Sequence, residues 1–313
     1  MRAELRPLLF ALAASTALVL PALPATAHAF CRTTTIPPPP DFTPQGGACF
    51  TQGELLFHPS QCVTYKVATA SAGAISTRMV ADAFARAFAT WTAPSSQCLP
   101  GVTAVQTGSV EGPVVVAYDA SAPASNANVV GFVAGAWPHA TTGETLALTT
   151  VTFVATDGRI LDADTEIRRD VSWASGAALG PDTYDFDTAI LHEAGHFLGL
   201  AHSEKSTAAM FASYTPGTAR TKLDDDDARG ICAIYPSREA RGTKTGEVAA
   251  SVCQVTPSAS DAAAGCDPTI VHGCAMTRSS ATPDRSSSPW WAAAVAIGAI
   301  AAGWLRARRR HEA

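Results

Sequence analysis

A segment of eleven residues constrains this chain more than any other part of it. Residues 192–202 read His-Glu-Ala-Gly-His-Phe-Leu-Gly-Leu-Ala-His. On a helix, residues four apart lie on the same face, one turn above the other. His192 and His196 can therefore present two imidazole nitrogens to a single Zn²⁺ ion.

The second half of this segment supplies a third ligand, and Glu193 supplies a base. Gly199 lacks a Cβ, so the chain can leave the helix there in a conformation that other residues tolerate poorly. We expect that turn to bring His202 back as the third nitrogen ligand. Three protein ligands leave a fourth position for water, which is typical of a catalytic zinc site. Glu193 is predicted to accept the proton of that water.

Two histidines four residues apart are often no more than a surface or core pair. The full pattern of three histidines, a glutamate and a glycine is far rarer, with a chance occurrence on the order of 10⁻⁵ in a chain of this length. The segment therefore predicts one catalytic zinc ion.

The composition favours a packed core and argues against a nucleic-acid partner. The chain has 313 residues, of which 47% are hydrophobic and 16% are charged. That balance is typical of a folded protein rather than a disordered one. The formal net charge is −5, whereas a nucleic-acid-binding protein needs a basic face.

The N-terminus has the pattern of a secretory signal peptide. Arg2 and Arg6 precede an apolar run at residues 8–20, and small residues follow at 25–29. This pattern predicts a signal peptide over residues 1–29, cleaved after Ala29 or Ala27. A membrane anchor is the alternative, but the apolar run is shorter than the roughly 20 residues that a span requires.

The C-terminus, residues 289–313, combines an apolar run with an arginine-rich tail. Residues 289–305 are apolar, have tryptophans near both ends and are followed by four arginines. Interfacial tryptophans and cytoplasmic arginines are typical of a short transmembrane helix; a buried core helix is the alternative. The arrangement resembles the C-terminal sorting tails of myxobacterial surface proteins. That resemblance implies cleavage near Cys274, with membrane contact beforehand and display on, or release from, the cell surface.

Eight cysteines behind an export signal predict disulfide bonds, since none forms a C-x-x-C pair. Cys31 and Cys49 bracket a proline-rich lead-in and could staple it. Cys62 and Cys98 flank the first predicted strand and helix, which makes them a plausible pair. The remaining cysteines are Cys232, Cys253, Cys266 and Cys274. The last three of these could form small local bridges.

Periodicity predicts strands and helices in an α+β order. Residues 63–68 alternate like a strand, and a helix follows that Ser76 or Thr77 can cap and Pro94 ends. Further strand-like runs are found at residues 113–118, 129–134, 145–155 and 159–167. A sheet formed before the zinc helix, with an earlier helix packed on it, is an α+β pattern.

Carboxylates at residues 182–187 precede the zinc helix. They complement the positive end of the helix dipole and cap its free N–H groups, and we prefer that interpretation to calcium binding. Leu191, Ala194 and Leu198 lie on the face away from the ligands and are expected to bury the helix against the sheet.

Downstream of the motif, Met210 follows the third histidine by eight residues. A final helix is predicted within residues 223–236, where aspartates in the first turn suit the helix dipole. Residues 237–288 are rich in Ser, Thr, Ala, Gly and Pro, which predicts a linker. His139 is isolated, and we interpret it as a loop histidine rather than a ligand.

With these residues, the chain resembles the matrixin branch of the metzincins in a bacterial secreted form. The resemblance rests on residues 192–203, Met210 and residues 223–235, and it spans roughly residues 60–236. It implies a metzincin-like catalytic domain over residues 30–236, with a twisted mixed sheet, a long zinc-binding helix and a C-terminal helix. It also implies zinc ligation by the three histidines, a general base at Glu193 and a methionine turn at Met210 beneath the metal. Asp226 and Asp227 are implied to anchor the last helix.

The sequence departs from the family pattern in three respects. There is no Pro-Arg-Cys-Gly inhibitory motif, so latency by a cysteine switch is not expected. The ligands of a second, structural zinc are not recognisable. No hemopexin-like domain follows. Bound calcium is not derivable from the sequence.

The function predicted from these features is a secreted or surface-displayed zinc endopeptidase that acts on polypeptide substrates as a monomer. Glu193 is its predicted general base. A surface-anchored adhesive protein that retains the fold is one alternative, and zinc content with a chelator-sensitive protease assay separates the two. A zinc amidase acting on cell-wall peptides is another, which digestion of peptidoglycan would reveal.

Overall fold

In the computed structural model, residues 30–253 are described, apart from 40, 41, 43, 45, 47 and 140–144, together with the backbone of 297–299. The predicted signal peptide (1–29) lies outside the described residues. So does the predicted C-terminal helix, except for residues 297–299, which form a strand rather than the predicted helix. Within the described ranges, no helix is both long and apolar enough to cross a membrane.

Five strands form a mixed sheet in the order β4-β5-β3-β1-β2. Strands β1, β2, β3 and β5 are parallel, and β4 is antiparallel to β5. A further short strand, β10, pairs antiparallel with the outer edge of β4, and two small two-stranded sheets, β6-β7 and β8-β9, complete the fold. The strand bounds are β1 Cys62–Ala68, β2 Thr103–Val110, β3 Asn128–Phe132, β4 Ala147–Val154, β5 Ile160–Ile167, β6 Trp173–Ala174, β7 Tyr184–Asp185, β8 Ala240–Thr243, β9 Gly246–Ala249 and β10 Ile297–Ala299.

Two of the three α-helices pack together against the sheet, and the predicted α+β class is confirmed. The helix bounds are α1 Thr77–Thr92, α2 Phe186–Phe197 and α3 Asp225–Ile234, with short 3₁₀ turns at Pro123–Ser125 and Gly176–Ala178. As predicted, Ser76 caps α1: its side chain accepts a hydrogen bond from the Met79 N–H. Trp91, fully buried on α1, donates from Nε1 to the Leu191 carbonyl at 2.7 Å and so ties α1 to α2.

The start of α2 follows the predicted capping chemistry. Asp185 is its N-cap residue, and its carboxylate accepts a hydrogen bond from the Thr188 N–H at 2.9 Å. Leu191, Ala194 and Leu198 are all buried, as the spacing predicted. Contacts at the first turn and along one face therefore fix the orientation of α2. The direction of its opposite face is fixed with it.

One predicted strand is wrong, and one strand of the five-stranded sheet, β2, was not predicted. Residues 113–118 form irregular chain rather than a strand, because this segment crosses over the sheet: the Ala117 N–H donates to the Asp164 side chain, and Val115 is 68% exposed. Strand β2 lies along the edge of the sheet and is polar and half-buried, so it lacks the alternation that marks a strand.

The first part of the predicted linker is instead an integral part of the domain. Residues 240–249 form the β8-β9 hairpin. Arg241 is fully buried, donates to the carbonyls of His58 (3.0 Å) and Ser60 (2.7 Å), and stacks over Tyr235 at 5.0 Å. The polar composition of this segment did not predict its packing against the domain, because the packing depends mainly on one arginine.

Three disulfides are formed among the described residues. Cys31–Cys49 confirms the predicted staple of the lead-in segment. The predicted Cys62–Cys98 pair is wrong, because Cys62 bonds Cys253 and Cys98 bonds Cys232. Cys253 consequently forms no local bridge. It reaches β1 because the chain after the hairpin pairs with the segment that precedes β1, through Ser251 and Ser60.

Candidate metal centre

Three histidines converge at the C-terminal end of α2. His192 and His196 lie on consecutive turns, and His202 follows the turn at the end of the helix. One potential ligand atom from each lies within 4.8 Å of the others. Their ring centroids are 4.6, 5.2 and 4.9 Å apart.

The turn between His196 and His202 depends on Gly199. Its φ of +97° lies in the left-handed region, and a Cβ there would be 2.9 Å from the Leu56 carbonyl oxygen. The N–H of Leu200 donates back to the Gly195 carbonyl at 3.0 Å, which closes the helix end. This turn carries His202 to the other two histidines, as the spacing predicted.

Backbone carbonyls fix the tautomers of two of these histidines. Nδ1 of His192 lies 2.8 Å from the Ala209 carbonyl oxygen, and Nδ1 of His196 lies 2.8 Å from that of Leu200. Because a carbonyl only accepts, both Nδ1 atoms carry a proton and donate it. The Nε2 lone pairs are left for a metal, an arrangement common among metal-binding histidines.

Burial keeps the three imidazoles neutral. It lowers the pKa of His196 to about 3 and that of His192 well below its usual value, and the neighbouring histidines lower both further. The pKa of His202 is also lowered by burial, although His202 is the most exposed of the three. Neutral nitrogen donors in a group of three fit Zn²⁺ well.

The carboxyl group of Glu193 is buried in the same cavity. Burial raises the pKa of Glu193 to about 7, and the Thr149 hydroxyl opposes that rise by donating to Oε2 at 2.7 Å. Sequence reasoning missed Thr149, because the contact joins β4 to α2 across 44 residues of chain. The only available signal was the strand-like run that contains Thr149.

Met210 lies against the underside of α2 and is 2% exposed. A Cβ added to Gly195 would come within 2.2 Å of the Met210 sulfur and 2.7 Å of the Trp91 ring. Gly195, between Glu193 and His196, therefore permits the close approach of Met210. No sequence rule for the zinc motif required a small residue at this position.

The two aspartates implied to anchor the last helix do so. The Asp226 carboxylate accepts from the Ser203 hydroxyl at 2.7 Å. The Asp227 carboxylate accepts from the backbone N–H groups of Ala209 (2.7 Å) and Met210 (3.1 Å). Helix α3 thus holds the segment whose Ala209 carbonyl orients His192.

The histidines and Glu193 line a cavity of about 360 Å³ together with the start of β4 and Tyr214. A larger cleft of about 670 Å³ lies between α1 and α3, but its wall contains none of the three histidines. We assign the chemistry to the smaller cavity, because buried titratable groups with shifted pKa values mark functional sites better than volume does.

His139 does not join this centre. Its Nε2 atom lies 2.6 Å from the Glu166 carboxylate, so it is paired although its sequence context is isolated. Within the described part of the chain, His192, His196 and His202 form the single cluster of three potential metal ligands.

The part of the chain that contains this centre is similar to known proteins. Residues 124–236 match the family model for Matrixin. The chain is 34% identical to Matrilysin from Homo sapiens over 115 residues, which is 35% of this chain and 40% of the relative. It is 40% identical to Metalloendoproteinase 1 from Glycine max over 88 residues (26% and 27%) and 35% identical to Hatching enzyme from Paracentrotus lividus over 74 residues (24% and 12%).

The chain thus spans less than half of the length of these relatives. The matched segment contains α2, the three histidines, Met210 and α3. Together with the mixed sheet, this segment is similar in fold to a Matrixin catalytic domain.

Proposed function

We propose that this protein is a zinc-dependent endopeptidase that hydrolyses peptide bonds in polypeptide substrates. The observation that carries the proposal is the placement of a buried carboxyl group, Glu193, in one cavity with three neutral imidazoles. The match to the Matrixin model and the similarity to named metalloendoproteinases support it.

His192, His196 and His202 would hold the metal through nitrogen, with an open position for water and substrate. Zn²⁺ bound in such a site supplies a water of lowered pKa and a Lewis acid for the scissile carbonyl. Backbone carbonyls fix two of the imidazole rings, and α3 holds the segment that supplies one of those carbonyls. The protein thereby orients the ligands before the metal arrives.

Glu193 would move the proton during the reaction. The Thr149 hydroxyl engages Oε2, and within the described residues no hydrogen bond is formed to Oε1. Oε1 takes a proton from the attacking water as the new C–O bond forms, and the carboxyl group then gives that proton to the nitrogen of the leaving amine as the C–N bond breaks. A pKa near neutrality suits a group that must both accept and donate a proton.

We also propose that the protein acts outside the cytoplasm as a monomer. Three disulfides within the described residues are typical of exported proteins. The signal peptide over residues 1–29, the bacterial cell-surface location and the membrane or sorting role of residues 289–313 stay predictions from the sequence. Mass spectrometry of the mature protein would determine both of its ends.

The function is tested by replacing Glu193 with alanine. We expect Glu193→Ala to retain one zinc ion per chain and to lose casein cleavage on the order of 10²–10⁴-fold, since proton transfer is lost and metal ligation is not. Glu247→Ala, an exposed change on β9, is the matched control and should keep full activity. Casein cleavage by Glu193→Ala at the wild-type rate would exclude the assignment. Cleavage of peptidoglycan alone would indicate an amidase.

A further inference from the structure

A second cavity, of about 260 Å³, opens on the other side of the three histidines. Its floor is formed by β4 residues Leu148, Thr149 and Val151, and His196 and His202 border it. The remaining wall comes from the segment that precedes β1, and the cavity surface is mainly apolar. The proposed mechanism does not use this cavity.

The wall contributed by the N-terminal segment is a loop closed by the Cys31–Cys49 disulfide. Phe42 and Phe50 face the cavity, with their rings edge to face at 5.7 Å. Aromatic rings in this arrangement bury large apolar surfaces and stabilise each other. The loop therefore offers an aromatic wall within reach of two of the candidate metal ligands.

The base of this loop is fixed to the domain. The Thr33 N–H donates to the Gly199 carbonyl at 2.9 Å, and the Leu56 N–H donates to the Thr33 carbonyl at 2.9 Å. The Arg32 guanidinium donates to the carbonyls of Leu56 (3.0 Å) and Gly242 (2.7 Å). At the base of the loop, Thr33 thus contacts the turn that positions His202, and Arg32 contacts the β8-β9 hairpin.

The second cavity is continuous with the catalytic cavity. Leu148, His196 and His202 line both, and β4 runs along the two of them from residue 147 to residue 151. A polypeptide whose scissile bond lies at the metal centre would therefore extend from one cavity into the other. Its side chains on one side of that bond would meet the aromatic wall.

We propose that Phe42 and Phe50, the aromatic wall beside the Cys31–Cys49 disulfide, form with β4 an apolar subsite for a large aliphatic or aromatic side chain of the substrate. The residue bound there lies on one side only of the scissile bond, because the aromatic wall borders only one of the two cavities. This inference rests on the proposed function, since the ligand is the polypeptide that the metal centre cleaves.

The first test uses peptides that carry Leu, Phe or Ser at each of three positions on either side of the scissile bond. For the wild-type chain we expect kcat/KM to be higher with Leu or Phe than with Ser, on the order of tenfold, at a position on one side only. The double variant Phe42→Ala/Phe50→Ala should lose that preference. Leu99→Ala, which removes an exposed apolar side chain that does not line either cavity, should keep it.

The second test measures peptide binding in the absence of cleavage. In a Glu193→Ala background, fluorescence anisotropy should give a Kd about tenfold lower for the Leu peptide than for the Ser peptide, and the two phenylalanine changes should abolish that ratio. Thermal unfolding identifies any variant that has not folded. If the double variant does not fold, the single changes Phe42→Leu and Phe50→Leu are used instead, and each should reduce the preference for Leu and Phe over Ser.

Two results would overturn the subsite. One is an unchanged preference for apolar residues in the folded phenylalanine variants. The other is an equal rise in kcat/KM for every peptide when the loop is opened by Cys31→Ser/Cys49→Ser, which would make the loop a cover over the site. Failure of the zinc-loaded protein to cleave any peptide would refute the proposed function instead, and the binding ratio would still report on the subsite.

Discussion

Two opposing effects set the pKa of the buried Glu193 carboxyl group. Burial removes water from the carboxylate and raises the pKa to about 7. The Thr149 hydroxyl, 2.7 Å from Oε2, stabilises the charged form and limits that rise. Neither effect is visible in the motif itself, because both depend on residues that the fold brings beside Glu193.

Replacing Thr149 with valine should raise the pKa of Glu193 further. A hydrogen bond to a charged group contributes about 1.5–3 kcal/mol, which corresponds to roughly one to two pH units. Since Glu193, the proposed base, must be deprotonated to act, the acid limb of the kcat/KM profile should move to higher pH by that amount. Thr152→Val, in the same strand but on its other face, is the control and should leave the limb in place. If the acid limbs of the wild-type and Thr149→Val profiles coincide, the hydrogen bond from Thr149 does not lower the pKa of Glu193.

Spacing alone predicted the residues that lie on one helix and its terminal turn. His192 and His196 follow from the helical period, and His202 follows from Gly199, because these contacts are local in the chain. The roles of Thr149 and of the Ala209 carbonyl could not be predicted. They depend on which strand and which loop the fold brings beside α2.

At the scale of elements, successive side chains of β5 alternate between two buried environments on opposite faces of the sheet. Ala163 and Ile167 face the core beneath the helices, whereas Asp162, Asp164 and Glu166 point to the other face and are buried there. The segment that crosses the sheet contacts Asp164, and His139 contacts Glu166. Burial and the neighbouring Asp164 carboxyl raise the pKa of Asp162. Two backbone N–H groups, of Val129 and Ala117, donate to Asp164.

This acidic face predicts a stability that falls as pH rises. An aspartate whose pKa is raised in the folded state contributes stability that is full below its unfolded pKa of about 3.9 and is lost as pH rises through the folded pKa. The variant Asp162→Asn does not lose stability in this way, because asparagine does not titrate. Between pH 4 and pH 8, the free energy of unfolding of the variant should therefore gain at least about 1.4 kcal/mol on wild type, the equivalent of one pKa unit.

Denaturant unfolding at several pH values measures this difference. Asp182→Asn, an exposed change before α2, serves as the control and should follow the wild-type profile. If the free energy of unfolding changes with pH in the same way for wild type and Asp162→Asn, the pKa of Asp162 is not raised in the folded state. The sequence predicted β5 as a strand, but it did not indicate the crossing segment, which was mistaken for a strand of its own.

The whole molecule is closed by disulfides that join distant parts of the chain. Cys62–Cys253 spans 191 residues and Cys98–Cys232 spans 134, whereas Cys31–Cys49 spans 18. Eight cysteines allow 105 complete pairings, and proximity along the chain favoured the wrong one for Cys62. The correct partner depends on the β8-β9 hairpin, which returns the chain to β1.

Removing the longest of these bridges should destabilise the domain more than removing the shortest. We expect Cys62→Ser/Cys253→Ser to lower the free energy of unfolding by about 2–5 kcal/mol, because the bridge restricts a long loop in the unfolded chain. Cys31→Ser/Cys49→Ser should cost less, since its loop is short. Urea unfolding of both variants compares them, and a larger loss from the short loop would show that strain or packing decides instead.

The proposed activity of the whole molecule depends on a metal held by three histidines. Its most direct test is to measure zinc content and casein cleavage in the same sample before chelation, after chelation and after the return of Zn²⁺. We predict about one zinc ion per chain, loss of cleavage with loss of zinc, and recovery of both together. Cleavage that persists in the zinc-free protein would contradict the account.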